Sequence, residues 1–264
     1  MQFDLCRAAP HVVATVDGWP INVPNLSSAI SQIIQTANQS EGFAVFTLNL
    51  DHLDKLRRSA SFRHAYAKAK YVTADGAPVA MLASRQGTRV ERTTGSDLVL
   101  PLATAAARES ISIYLYGTTA DILASAALTL QQHTGFTLAI AGMDSPPWGF
   151  EPDSPEADAA LDRIEASGAR LCFVALGAPK QELFAARAVE RGTKIGFVCI
   201  GAGLDFLSGA QIRAPRFMQS YGLEWLWRLA LSPRRLASRY FRCALLILDL
   251  TLPLPRRIAA EGTN

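Results

Sequence analysis

An aspartate and a glycine, Asp75-Gly76, follow the short apolar run Tyr71-Val72-Thr73, where a buried strand would stop. A carboxylate partly desolvated in a cleft is a competent proton acceptor, and a neighbouring glycine gives a substrate room to approach. The same dipeptide also suits an Asx turn or a helix cap, so spacing alone leaves both roles open for Asp75. Thr47 and Asn49 close a second apolar run, Phe43–Leu48. Three further runs lead into Gly117-Thr118-Thr119, Gly177-Ala178-Pro179-Lys180-Gln181-Glu182 and Gly201-Ala202-Gly203-Leu204-Asp205-Phe206. In a parallel sheet such turns share the carboxyl edge, where ligands bind.

The chemistry these turns offer is anion recognition. Lys180 and Gln181 open a helix, and helix N-termini attract phosphate. Gly201 and Gly203 let backbone N–H groups approach a ligand closely, while Asp205 and Phe206 suit a ribose and a base; capping and core packing are equal alternatives for that pair. Phe206 stands where the dinucleotide fingerprint needs its third glycine, so a nucleotide-dependent oxidoreductase is disfavoured. Further on, Ser232 and Pro233 read as the N-cap and first residue of a helix to about Asp249. Arg235, Arg239 and Arg242 then align beside the apolar row Leu236, Tyr240, Ala244 and Ile247, the pattern of an interfacial helix.

The elements that must position these groups alternate regularly. Val12–Val16, closed by Asp17-Gly18, reads as a hairpin arm, and Asn25 caps a helix over Leu26–Ala37. A polar helix is expected over Leu53–Lys70, and helices over Ala77–Arg85 and from Asp97 through Ala107. Strands are expected at Ile111–Tyr116, Thr137–Ala141, Arg170–Leu176 and Ile195–Ile200, with helices at Ala120–His133, Glu156–Ala166 and Leu183–Arg191. This order predicts an α/β fold, Rossmann-like, with a largely parallel sheet covered by helices on both faces and a basic helical C-terminal appendage. Residues 1–231 form the expected catalytic domain, a two-lobe division near 108–155 being left open. Residues 232–264 form the expected membrane-docking appendage.

Net charge is +3 over 264 residues, but from Arg213 onward there are nine Arg, no Lys and three acids. A basic end on a mildly acidic body suits phosphate ligands or an anionic surface. The four Cys (Cys6, Cys172, Cys199, Cys243) are far apart, as in a reducing compartment. No charged N-terminal region precedes an apolar stretch, so no signal peptide is expected. Ala244–Leu254 is too short to span a bilayer, which needs roughly 20 residues. The chain has no Asp-x-Asp clamp, P-loop or G-x-S-x-G elbow. His52 and His64 read as helix-surface residues without a close carboxylate, and no metal site is expected.

Taken in order, Thr47-Leu48-Asn49, Ala74-Asp75-Gly76-Ala77-Pro78, Arg92-x-x-Gly95-x-Asp97-Leu98, Gly177–Glu182, Gly201–Phe206, Arg213-Ala214-Pro215 and Gly222-Leu223-Glu224-Trp225 resemble the motifs of the WecG/TagA/CpsF glycosyltransferases. The narrower likeness is to the glucosyltransferase of xanthan-type exopolysaccharide assembly. The resemblance implies an inverting, metal-independent transfer from a UDP-sugar to a sugar on polyprenyl diphosphate. It places the protein peripherally on the cytoplasmic face of a bacterial inner membrane, with no further cofactor and no nucleic-acid partner; oligomeric state stays open. It implies Asp75 as base with Thr47 beside it, and Asn49, Arg92, Gly117, Gly177, Pro179, Lys180, Gln181, Glu182, Gly201, Gly203, Asp205 and Phe206 as the substrate-binding set. Arg228, Arg235 and Arg239 would belong to an appendage that closes over the site and docks on the membrane. Leu50-Asp51-His52 follows Asn49 where many relatives carry Pro or Val, which keeps an N-acetylmannosamine donor open as an alternative. A non-catalytic membrane-surface scaffold is the remaining reading.

Overall fold

The computed structural model describes residues 11–252, apart from the side chains of Arg216, Ser220 and Arg235. Cys6 and the last residues of the expected appendage therefore lie outside the described residues. A hairpin of β1 (Ala14–Val16) and β2 (Trp19–Ile21) leads to α1 (Leu26–Asn38), whose first turn is capped by Asn25 accepting from the Ser28 N–H at 2.9 Å. Next come β3 (Phe43–Leu48), α2 (Leu50–Arg58), α3 (Ala60–Ala67), β4 (Ala69–Ala74), α4 (Ala77–Ser84) and α5 (Gly95–Arg108). They are followed by β5 (Ile113–Gly117), α6 (Ala120–His133), β6 (Ile140–Asp144), α7 (Pro155–Ala166), β7 (Leu171–Ala175), α8 (Lys180–Glu190) and β8 (Gly196–Cys199). Four helices finish the described chain: α9 (Gly203–Leu207), α10 (Arg216–Ser220), α11 (Glu224–Leu231) and α12 (Pro233–Thr251).

Two boundaries differ from expectation for local reasons. The polar helix predicted over Leu53–Lys70 is two helices, because Ser59 ends α2 and caps α3, its hydroxyl accepting from the Phe62 N–H at 3.2 Å. The strand expected at Thr137–Ala141 starts later, at Ile140, because the turn ending α6 extends into it: the Thr137 N–H and hydroxyl both donate to the Thr134 carbonyl, at 3.3 and 2.6 Å.

All six long strands are parallel, in the order β4-β3-β8-β7-β5-β6. β3 is buried along its whole length, as its unbroken apolar run requires of a strand covered on both faces. Alternate residues feed two cores. Phe46 and Leu48 join Tyr116, Phe184 and Phe197 under α2, α3 and α8, while Phe43 and Val45 join Leu115, Phe173 and Val198 under α1, α5 and α6. The carboxyl ends of β3, β4, β7 and β8 consequently open on one edge.

The C-terminal helices cover that edge. α12 begins with Pro233 at its first turn, as expected, but Ser232 makes no side-chain cap bond. Ion pairs fasten α12 to α2: Arg57 to Asp249 at 2.8 Å, Arg242 to Asp54 at 3.2 Å and Arg239 to Asp51 at 3.8 Å. At the end of β5, Gly117 has φ +127°, and a Cβ there would lie 2.4 Å from the Ala175 carbonyl oxygen of β7. Gly117→Ala is therefore expected to lower stability by roughly 2–3 kcal/mol in urea unfolding, since both the left-handed backbone and the adjacent strand resist the added methyl.

Candidate active site

Asp75 follows β4 directly, and its N–H donates to the Leu48 carbonyl at 2.8 Å. Gly76 takes the N-cap position of α4 without a side-chain bond, so Asp75 is not spent on capping. Its carboxylate faces the end of β3 instead. Asn49 Nδ2 donates to Asp75 Oδ2 at 3.3 Å, and Thr47 Oγ1 points to the same oxygen at 3.5 Å. Asn49 has a second task, because its Oδ1 caps α2 by accepting from the His52 N–H at 2.9 Å. That bond fixes the amide with its donor side towards Asp75. Burial pushes the Asp75 carboxyl up to about 6, a rise only partly offset by the Asn49 hydrogen bond and by Arg228 and Arg92. A carboxylate so placed is ionised at neutral pH yet basic enough to take a proton.

Above it lies a cavity of about 1070 Å³ whose wall carries four arginines (Arg92, Arg213, Arg228, Arg239) and three carboxylates (Asp51, Asp75, Glu224). Carboxylates hold the arginines close together. Arg213 donates to Asp97 at 2.6 Å and Arg92 meets the same side chain at 3.3 Å. Glu224 lies 3.2 Å from Arg228 and 3.8 Å from both Arg92 and Arg213. Asp97 also closes the capping box of α5 with Thr94, so one residue fixes a helix end and two guanidinium groups. Burial alone would raise the Asp97 pKa, yet Arg213 and Arg92 bring it below its ordinary value. Phe206 lies under Arg228 and Arg213, 5.3 and 5.9 Å from its ring centre.

The predicted residues divide between wall and support. Thr47, Asn49, Asp75, Arg92, Gly177, Gln181, Gly201, Phe206, Arg228 and Arg239 line the cavity. Gly117, Pro179, Lys180, Glu182, Gly203 and Asp205 are not on its wall. Lys180 reaches the Phe150 carbonyl and Glu151 at 3.0 Å, and Asp205 accepts from Thr118 at 3.4 Å. Gly203 is needed for close packing, since a Cβ would sit 2.8 Å from Val99 of α5. The Gly201 N–H donates to Gln181 Oε1 and the Gly203 N–H to the Ile200 carbonyl, each at 3.1 Å, so these two donors are engaged within the chain. The side chain of Arg235 lies outside the described residues. The histidine expectation is corrected for His52, which is buried and 3.8 Å from Glu182; His64 is a helix-surface residue as expected, but it has a carboxylate partner, Glu190 at 2.6 Å. Arg213, Glu224 and Trp225 on the wall were visible only as motif letters, without an assigned role, and Trp227 beside them belongs to none of those motifs.

The model of the family described as Glycosyl transferase WecG/TagA/CpsF matches residues 14–257. The chain belongs to that family. As a WecG/TagA/CpsF glycosyltransferase it takes a sugar donor and a lipid-linked acceptor, which sets aside the oxidoreductase and scaffold readings. The match runs from β1 through α12 and includes every wall residue named above. Among the described residues of this glycosyltransferase, no helix is long and apolar enough to cross a membrane.

The raised pKa of Asp75 has two measurable effects. Transfer rate should climb with pH through about 6 as the carboxylate forms, read from a pH–rate profile. Because the folded pKa lies above the ordinary 3.8, ionised Asp75 opposes folding at high pH. Asp75→Asn should therefore raise the melting temperature at pH 8, a gain that shrinks as pH falls from 6 towards 4.

Proposed function

We propose that this glycosyltransferase inverts the anomeric centre of a UDP-sugar, with Asp75 as general base, and delivers the sugar to a saccharide on polyprenyl diphosphate. UDP-glucose is the donor we favour, with the 4-OH of a lipid-linked glucose as nucleophile, giving the β-1,4 linkage of xanthan-type exopolysaccharide assembly. The observation that carries this reading is the Asp75 carboxylate, held by Thr47 and Asn49 in an arginine-walled cavity, where burial raises its pKa. Asp75 takes the proton of the acceptor hydroxyl, and that oxygen attacks the anomeric carbon opposite the diphosphate. The bond from that carbon to UDP breaks and the electron pair leaves with UDP. Arg228, with Arg92, Arg213 and Arg239, stabilises the charge gathering on the diphosphate, a task given to metal ions in other transferases. Thr47 and Asn49 keep the base aimed, and alignment of the two sugars supplies further acceleration.

The outer surface of α12 supports membrane delivery of the acceptor. The apolar row expected to face a bilayer, Leu236, Tyr240, Ala244 and Ile247, lines the cavity instead. A second row, Phe241, Leu245, Leu248 and Leu252, is more than half exposed at helical spacing. With Phe217 of α10 and Tyr221 just after it also exposed, these helices suit a peripheral contact with an anionic bacterial inner membrane on its cytoplasmic side.

Radiolabelled UDP-sugars tested on a synthetic prenyl-diphosphate glucose, with EDTA present, decide the reaction. Label should move from UDP-glucose into the lipid product. Transfer only from UDP-N-acetylmannosamine to an N-acetylglucosamine lipid would keep the family and discard the glucosyltransferase assignment. Asp75→Asn should cut kcat by about 10²–10⁴-fold while UDP still binds; a variant with near-normal kcat would move the base elsewhere. Leu245→Asp with Leu248→Asp should reduce co-sedimentation with anionic liposomes, and undiminished binding would place the membrane contact on another face.

A further inference from the structure

Of the Pro-Lys-Gln-Glu segment only Gln181 reaches the cavity wall, and beside it runs a line of buried polar groups. Tyr66 of α3 has its hydroxyl 2.6 Å from His52 Nδ1 of α2. His52 Nε2 lies 3.8 Å from Glu182 Oε1 of α8, and that oxygen accepts from Gln181 Nε2 at 2.7 Å. Gln181 Oε1 in turn accepts from the Gly201 N–H at 3.1 Å. All four side chains belong to residues at most 4% exposed, and Glu182 itself is 0% exposed. Glu182 Oε2 has no hydrogen-bond partner among the described residues. Apolar residues would fill these positions without the desolvation cost that a buried carboxyl carries.

The geometry gives Glu182 a definite task. A Gln181 amide turned the other way would set its NH₂ against the Gly201 N–H and its oxygen against Glu182 Oε1. The Glu182 acceptor therefore selects the orientation that lets Gln181 hold Gly201. Gly201 and Ala202 form part of the cavity wall, and the same turn leads into α9, whose Phe206 lies under Arg213 and Arg228. Burial pushes His52 down to about 3 and Glu182 up to about 7, so His52 is neutral at working pH. In the tautomer where Tyr66 donates to Nδ1, the ring N–H lies on Nε2, the side of Glu182.

We propose that Glu182 is a positioning residue of the donor site, holding the Gly201 turn through Gln181 and itself held from behind by His52 and Tyr66. This rests on the UDP-sugar reading above. The test is calorimetric titration of UDP into the full chain and its folded variants. Glu182→Met should weaken UDP about tenfold, as loss of one buried polar link would. Glu182→Gln, which keeps an acceptor oxygen, should recover most of that loss. In a Gln181→Met background, Glu182→Met should add nothing, because the link is already cut. UDP affinity in Glu182→Met equal to wild type, or losses that add in the double variant, would overturn the proposal. Should Glu182→Met fail to fold, Tyr66→Phe decides: about threefold weaker UDP is expected, and unchanged affinity overturns the proposed line. Wild-type protein that binds no UDP would overturn the UDP-sugar reading itself, and this proposal with it.

Discussion

Desolvation of the Asp75 carboxylate sets the terms for everything around it. Removing a carboxylate from water favours its neutral form, and a neutral acid cannot take a proton. The structure supplies two opposing contributions, hydrogen-bond donors from the end of β3 and the field of Arg228 and Arg92. Neither is free to drift. Asn49 is tied to α2 through its cap bond, and the Asp75 backbone is pinned to β3 through the Leu48 carbonyl. The parallel sheet thus does more than support the site: adjacent strand ends bring the Asp75 carboxylate and its hydrogen-bond donors to one point.

The arginines pose the converse problem. Four guanidinium groups on one wall repel each other, and their side chains lose rotamer freedom when fixed. Asp97 and Glu224 offset both effects. They reach arginines from the segment after β4, the loop before α10 and α11 itself, so parts of the chain more than a hundred residues apart are joined by two carboxylates. An anionic group arriving there would meet charge that is already oriented, which is the condition under which electrostatic stabilisation is strongest.

How much of this was legible follows from what is local. Buried parallel strands are unbroken apolar runs, so β3, β7 and β8 and the turns behind them could be read directly, as could the Asn25 cap and the span of α6. Asp75 and Asn49 stand just beyond strand ends and Thr47 is the second-last residue of β3, so their place at the sheet edge could be read locally. His52 was misplaced because a histidine is usually a surface residue, and its burial beside Leu53 and Leu56 comes from tertiary partners, Tyr66 of α3 and Glu182 of α8 among them. The roles of Arg213 and Glu224 depend on partners distant in sequence, which no local pattern encodes. Periodicity on α12 revealed apolar rows but could not say which of them turns inwards.

The ion pairs between α2 and α12 differ in kind from the rest of the architecture. Their arginines and Asp249 are 35–50% exposed, and exposed pairs contribute about 0–1 kcal/mol each and are screened over a Debye length of about 8 Å at physiological salt. The sheet beneath rests on apolar burial, which salt does not screen. Rising ionic strength therefore weakens these ties first and leaves the covering helix to its apolar anchors, Leu236, Cys243 and Leu246, so counter-ion concentration tunes one of the two holds on this roof.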